Sequence, residues 1–250
     1  MAPAFNRRRH LPDGVPESIR DAVLRTLPDH PEILDLGAGA GRIGLPFVAS
    51  GDSYTGTDLS LGMLQAFAEQ APTACLTQAD GKNLPFPDAA FDAVLLIQVL
   101  SGVPGWRHLL TETLRVLRPA GKLIVGRVVA PDDGIDAKLK DRLAEILSDM
   151  GIHPYRDKPR DDAMSWLART MPDPVAIDAA TWTAHRTPSA FVDRHGTGAR
   201  FSVLPEPVKQ AAMQRLTAWA TDRFGPLDNP FPEQHRFELT IHSLQPGTTH

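Results

Sequence analysis

The chain reads as an α/β protein built on a mostly parallel sheet with helices on both faces. Three observations predict this. Strand-like and helix-like segments alternate through the first 130 residues, the order that a parallel sheet with crossover helices requires. The run Ala93-Val94-Leu95-Leu96-Ile97 is continuously apolar, as a strand buried on both faces is. The short strand Ile33–Leu36 runs straight into a glycine turn, Gly37-Ala38-Gly39-Ala40-Gly41.

The elements follow in order. Residues 16–27 place Ile19, Val23 and Leu27 on one helix face, and Pro16 suits a first turn because it has no N–H to leave unpaired. A helix follows the glycine turn through Val48. The second strand is Ser53–Thr57, and Ser60 is the expected N-cap of the next helix. Strands at Ala74–Thr77 and Ala93–Ile97 come next, then a helix over 106–117 and a strand over Lys122–Val129. Beyond these the chain changes character. Residues 136–150 predict a helix with Leu139, Leu143, Ile146 and Met150 on one face and Gly151 as its stop. Residues 152–174, rich in Pro, Asp and Arg, predict a short helix at best. A sixth strand falls within 175–186, around Ala180–Thr183. A helix over 206–223 turns Val208, Ala212, Leu216 and Trp219 inward, and the last strand is Arg236–Leu244. The pattern divides the chain into an N-terminal helical cap (1–28), a binding core (29–130) and a remainder (131–250) in which helices are inserted between the last strands. The tail 245–250 is expected to be disordered.

Composition narrows the classes. Hydrophobic residues make up 42% and charged residues 22%, ordinary for a soluble globular protein. The formal net charge of −4 gives no basic face for nucleic acid, and the only basic run, Arg7-Arg8-Arg9, reads as a solvated tail. The single cysteine, Cys75, can form neither an internal disulfide nor a multi-cysteine zinc site. No metal site is expected, and Cys75 in Ala74-Cys75-Leu76 is read as a small buried hydrophobe. No stretch approaches the roughly 18 apolar residues of a membrane span, and the N-terminus lacks the apolar core of a signal peptide. A cytoplasmic chain with no nucleic-acid or membrane partner is expected. The oligomeric state has no signature in the sequence.

The glycine turn admits two readings. Gly39-Ala40-Gly41-Arg42-Ile43-Gly44 matches the G-x-G-x-x-G dinucleotide pattern. That register puts Asp35 and Gly37 inside a buried strand, where an unpaired carboxylate is costly and glycine weakens the ladder. In the other register the strand ends at Asp35 and Gly37 starts the turn. Asp35 then lies at the C-terminal edge of the sheet, where open α/β folds bind ligands.

In that register Asp35-Leu36-Gly37-Ala38-Gly39-Ala40-Gly41 resembles motif I of the class I S-adenosylmethionine-dependent methyltransferases. Four stretches continue the resemblance in order: Tyr54 to Ser60 with Met63-Leu64; Gln78-Ala79-Asp80-Gly81 with Leu84-Pro85-Phe86; Phe91 to Leu100; and Leu114 to Leu123. The similarity covers about residues 30–130 and is nearest to the ubiquinone and menaquinone C-methyltransferase group. It implies a Rossmann-like, seven-stranded sheet with an antiparallel last strand and a helical lid. It also implies S-adenosyl-L-methionine as cofactor and a small-molecule acceptor.

The resemblance assigns cofactor binding to Asp35, Gly37, Ala38, Gly39, Gly41, Asp58, Leu59, Met63, Asp80, Gly81, Gln98 and Val99. A carboxylate ending the second strand, Asp58, can accept from both ribose hydroxyls; the lesser alternative is a cap for the helix that starts near Leu61. Asp80 would accept the adenine amino group beside Gly81, and Leu59 would cover the adenine face with Met63 nearby. Gln98 and Val99 would lie under the sulfonium, and Arg42 is a candidate for the methionine carboxylate. The reaction implied is an in-line displacement that needs alignment and a dry site more than a base, so no catalytic residue is assigned. His10, His153, His185 and His195 lie outside the core motifs, each more readily read as structural. The fourth strand ends in Gln98-Val99-Leu100-Ser101-Gly102, without the Pro-Pro-aromatic turn of many nucleobase amino-methylases. Ser101 and Gly102 also stand where many small-molecule relatives carry a histidine. Two rival functions share the glycine turn: a non-catalytic S-adenosylmethionine-binding regulator and a nicotinamide-dependent oxidoreductase. Acceptor selection is expected from the segments outside 30–130, which carry Trp166, Trp182, Phe191, Phe201 and Trp219 as aromatic area for a lining; Trp219, on a helix's inner face, is more readily read as core packing. Phe5–His10 is expected to close over the cofactor.

Overall fold

A computed structural model describes residues 11–103, 105–152, 159–196 and 204–244. The elements are α1 (Val15–Leu24), β1 (Ile33–Leu36), α2 (Gly44–Ala49), β2 (Tyr54–Asp58), α3 (Leu61–Gln70), β3 (Cys75–Gln78), β4 (Phe91–Ile97), α4 (Trp106–Val116), β5 (Leu117–Val129), α5 (Ile135–Asp149), α6 (Pro159–Thr170), β6 (Val175–Arg186), α7 (Pro188–Gly196), α8 (Glu206–Phe224) and β7 (Phe231–Ser243). One seven-stranded sheet runs in the order β3-β2-β1-β4-β5-β7-β6. The pairs β3-β2, β2-β1, β1-β4 and β4-β5 are parallel, and an antiparallel hairpin completes the sheet. The expected fold class is therefore present. The order reverses at β1, which places β2 on one side and β4 on the other. Ligands of open α/β sheets bind at the carboxyl ends of strands flanking such a switch.

The chain divides into two compact units. The first comprises residues 1–128, 158–180 and 236–250. Strand alternation covers both faces of its sheet. Leu34, Leu36, Val94, Leu96, Leu123 and Val125 pack with Leu110 and Leu114 of α4 and Ala163 and Leu167 of α6. On the opposite face Tyr54 stacks on Phe47 of α2 and meets Phe67 of α3 edge-on. The second unit comprises residues 129–157 and 181–235. Its core joins Ile135, Leu139, Leu143 and Ile146 of α5 to Phe191 of α7 and Ala212, Leu216 and Ala220 of α8. Each such fully buried aliphatic side chain contributes roughly 1.5–3 kcal/mol. Strands β6 and β7 contribute residues to both units.

Several expectations need correction. Residues 159–170 form a three-turn helix where a short one at best was expected. The proline and aspartates that suggest a loop are its start: Pro159 needs no N–H partner, and Asp161 and Asp162 lie in the first turn, where carboxylates face the positive end of the helix dipole. Cys75 is exposed, not buried, because β3 is the edge of the sheet and only partly covered. On α8 the buried residues are Ala212, Leu216 and Ala220, with Val208 and Trp219 only partly covered. The tail 245–250, Phe201, His10, His153 and Phe5–His10 lie outside the described residues.

Candidate cofactor and active site

The site starts from the turn after β1. Gly37, Gly39 and Gly41 all take positive φ, at 87°, 57° and 86°, a conformation other residues adopt at a cost. The N–H groups of Gly37 and Ala38 both donate to the Thr57 carbonyl at 2.8 Å, which ties the turn to the end of β2. The three glycines are needed for different reasons. A Cβ on Gly37 would come within 2.6 Å of Val99 Cγ2. A Cβ on Gly41 would collide with the Phe67 ring. A Cβ on Gly39 would meet only Met63 Cε, 4.0 Å away. Gly37 and Gly41 thus serve packing, whereas Gly39 faces open space. Gly44 packs like Gly41: a Cβ there would strike the Tyr54 hydroxyl. The G-x-G-x-x-G match therefore arises from close helix–strand packing, with β1 ending at Leu36.

Asp58 closes one side of the turn. Its Oδ2 accepts from the Gly39 N–H at 2.9 Å and its Oδ1 from the Ser60 N–H at 2.8 Å. Ser60 occupies the N-cap position of α3 but makes no side-chain cap bond, so Asp58 takes over part of that task. A carboxylate has about four lone-pair positions; two are used here. Leu59 beside it is 69% exposed, unusual for a leucine in an ordered turn, and Met63 is half-buried. Asp80 and Gly81 open the loop after β3. Asp80 accepts from the Lys82 N–H at 3.0 Å and pairs loosely with Lys82 Nζ at 3.5 Å. Gly81 lies against Leu36 and Leu109.

Asp35 is only 2% exposed and accepts a hydrogen bond from the Tyr54 hydroxyl at 2.7 Å. Burial raises its pKa to about 6, against the opposing Tyr54 bond; the Asp58 charge adds to the rise and Arg42 counters it. Tyr54 is the partner that sequence reasoning missed as a functional group. No local pattern announces it, because the two residues meet across neighbouring parallel strands.

The other side of the turn is the end of β4. Gln98 has φ 58°, one of five non-glycine residues at positive φ among the described residues. Its N–H donates to the Gly126 carbonyl at 2.9 Å, and its Oε1 accepts from Arg42 Nη2 at 2.9 Å. Gln98 therefore bridges the glycine turn to a cavity of about 270 Å³ at the ends of β4 and β5. Gln98, Val99, Ser101, Gly126, Arg127 and Arg160 are among its lining residues. The expected cofactor residues thus assemble along the carboxyl ends of β3, β2, β1 and β4. Of the expected aromatic lining, Trp166 belongs to the same unit as this cavity and is not among its lining residues. Trp166 packs edge-on against Trp106, Phe191 is core and stacks on His195, and Trp219 packs against Phe224. Trp182 lies 5.9 Å from His235. Large aromatics are the most effective means of filling a core, and here they fill two. His195 Nδ1 lies 2.9 Å from the Phe191 carbonyl, and burial holds its pKa down. His185 is exposed.

A family model described as a methyltransferase domain matches residues 34–125. Residues 34–125 are thus similar to a methyltransferase domain. The cofactor of such a domain is S-adenosylmethionine. The matched segment runs from β1 to β5 and contains all the expected cofactor residues. Among similar proteins is the demethylmenaquinone methyltransferase of Paenarthrobacter aurescens, 36% identical over 100 residues, which are 40% of this chain and 40% of that protein. Another is the phosphatidylethanolamine N-methyltransferase of Cereibacter sphaeroides, 32% identical over 127 residues, 48% of this chain and 62% of that one. The chain covers less than two thirds of the length of either relative. The YcgJ protein of Bacillus subtilis shares the fold, with a TM-score of 0.56 at 19% identity over 92% of this chain and 99% of that one. Within the matched segment lie the open space at Gly39, the fixed carboxylate of Asp58 and the exposed apolar side chain of Leu59. No helix among the described residues is long and apolar enough to cross a membrane.

Proposed function

We propose that this chain moves the methyl group of S-adenosylmethionine to a small-molecule acceptor seated in the cavity at the ends of β4 and β5. One observation carries the reading: Gln98 is at once a wall of that cavity and the partner of Arg42 from the glycine turn. Cofactor side and acceptor side therefore share a single residue.

The cofactor supplies an electrophilic methyl group on a good leaving group. The chain's residues bind and align it. Asp58, fixed by the N–H groups of Gly39 and Ser60, turns its remaining lone pairs to the ribose hydroxyls. Leu59 and Met63 cover the adenine, and Asp80 with Gly81 receives its amino group. Gly39 lets the methionine portion approach the backbone, Gly37, Ala38 and Gly41 hold the turn that presents it, and Asp35 supplies negative charge beneath it. Gln98 and Val99 separate the two halves of the site. No His, Asp or Glu lines the cavity among the described residues. The acceptor then brings its own nucleophile, and rate comes from proximity and alignment. The two named relatives differ in acceptor, one a quinone precursor and the other a phospholipid amine. Each shares only part of its length with this chain, and acceptor choice belongs to the segments outside residues 30–130. The lone, exposed Cys75 suits work in a reducing cytoplasm, on an acceptor that is not nucleic acid.

The test is turnover. The purified chain is incubated with labelled S-adenosylmethionine and a panel of quinols, phenols, amines and carboxylic acids. Formation of S-adenosylhomocysteine together with a methylated product is the expected result. Tight cofactor binding with no turnover across the panel would favour the regulator. Preferential binding of NADH would favour the oxidoreductase.

A further inference from the structure

The cavity beyond Gln98 holds two arginines that cofactor binding does not use. Its strand side is apolar, with Leu96, Val99 and Val125, whereas Arg127 from β5 and Arg160 from the first turn of α6 bring positive charge. No carboxylate lines it among the described residues. Arg127 donates through Nε to Glu238 Oε1 at 2.9 Å. The ion pair of Arg160, with the adjacent Asp161, spans 3.9 Å, the outer limit of such a contact. Arg160 nevertheless keeps only 25% of its side chain exposed. Burial and then the neighbouring Arg127 charge hold its pKa below the ordinary value, against Asp161 and Glu238.

A half-buried guanidinium with so weak a partner is costly unless something else neutralises it. Its planar fork of donors fits a carboxylate or phosphate in two-point contact. We infer that the acceptor carries an anionic oxygen group, a carboxylate or a phosphate, which Arg160 and Arg127 bind in this cavity and which sets acceptor specificity. This rests on the methyltransferase reading for the word acceptor, but the anion site itself can be tested without turnover. At about 270 Å³ the cavity lies near the lower end of small-molecule sites. A single substituted ring fits it better than a long chain. The apolar strand side takes the ring and the arginines take the charge.

The test uses the full chain saturated with S-adenosylhomocysteine and titrates benzoate, phenyl phosphate and neutral benzyl alcohol by calorimetry. The expected result is binding of at least one anion and not of the alcohol. The tighter of the two identifies carboxylate or phosphate. Arg160→Gln should weaken the anion by ~10–100-fold, the loss of one charge-assisted pair. It should leave S-adenosylhomocysteine affinity unchanged and not lower the melting temperature, because Arg160 makes one weak ion pair and the variant removes a largely buried charge. Arg127→Gln should weaken the anion as well, and melting checks that loss of the Glu238 pair has not unfolded it. Equal binding of the alcohol, no binding of either anion, or anion affinity unaffected by Arg160→Gln would overturn the inference. If S-adenosylhomocysteine itself fails to bind, the methyltransferase reading falls, and the same titrations without it decide the anion site alone.

Discussion

The turn after β1 and the end of β4 both break out of a parallel strand with backbone at positive φ, but they do so differently. The turn uses Gly37, Gly39 and Gly41, which have no side chain to strain and leave the backbone bare. The β4 end uses Gln98 at φ 58°, held by Gly126 behind it and Arg42 beside it. A non-glycine residue in this region carries about 1–2 kcal/mol of strain. The first break creates room, and the second spends room to place a polar group. Strain of this kind collects at functional positions, and here it falls on the residue between the glycine turn and the cavity at the ends of β4 and β5.

The largest effect that would break this contrast lies in the packing glycines. Gly44→Val should destabilise the chain by ~3 kcal/mol, because its side chain would displace Tyr54 from Phe47 and from Asp35. A melting temperature within a degree of the unaltered chain would mean that this packing is not tight. Next is Asp58→Asn, expected to weaken S-adenosylhomocysteine binding ~10–100-fold through loss of charge-assisted bonds, read by calorimetry. Some of that loss would come from the Gly39 N–H, so hydrogen exchange at Gly39 should quicken in the same variant.

Gln98 sharpens the comparison at smaller magnitude. Gln98→Gly removes the strain and the Arg42 bond together, so stability should hold or rise by up to about 1 kcal/mol while turnover falls. Gln98→Val, β-branched at positive φ, should lose ~1–2 kcal/mol. If glycine destabilises as much as valine, the side chain is structural.

The smallest effect is on pH. Asp35 has its pKa raised to about 6. A buried acid of this kind binds its proton more tightly when folded, so ionising it costs stability between the unfolded carboxylate value and about 6. Relative to Asp35→Asn, the chain should lose stability as pH rises through that window. A cationic cofactor favours the ionised form, so S-adenosylmethionine should bind a few-fold more tightly as pH rises through about 6. That gain should vanish in Asp35→Asn, as checked by calorimetry at several pH values.

The sequence shows the cofactor half far more plainly than the acceptor half, for physical reasons. A turn at positive φ demands glycine, and an apolar parallel strand demands Val, Leu and Ile, so β1, its turn and β4 are written in residue types. Asp58 stands out because it is a carboxylate ending a strand beside the glycine turn, to which its bond from Gly39 N–H ties it. Arg127 and Arg160 are different. They lie 33 positions apart on a strand and a helix, and only folding brings them to one cavity. The helix Pro159–Thr170 that carries Arg160 was itself obscured, since the residues that suit a helix N-terminus also suit a loop. Trp166 misled in the opposite direction: its type fits a pocket or a core equally, and it packs edge-on against Trp106. Edge position, too, has no residue signature, which is why Cys75 is solvent-facing despite apolar neighbours.

The account stands on the claim that the open space at Gly39 belongs to the cofactor. Gly39→Asn tests it most directly, because asparagine tolerates positive φ better than other side chains and would fill that space while keeping the turn. Calorimetry with S-adenosylhomocysteine, and NADH as the rival ligand, should show binding of the former to the unaltered chain and a loss of tenfold or more in the variant, with little change in melting temperature. Undiminished binding in Gly39→Asn, or preference of the unaltered chain for NADH, would contradict it.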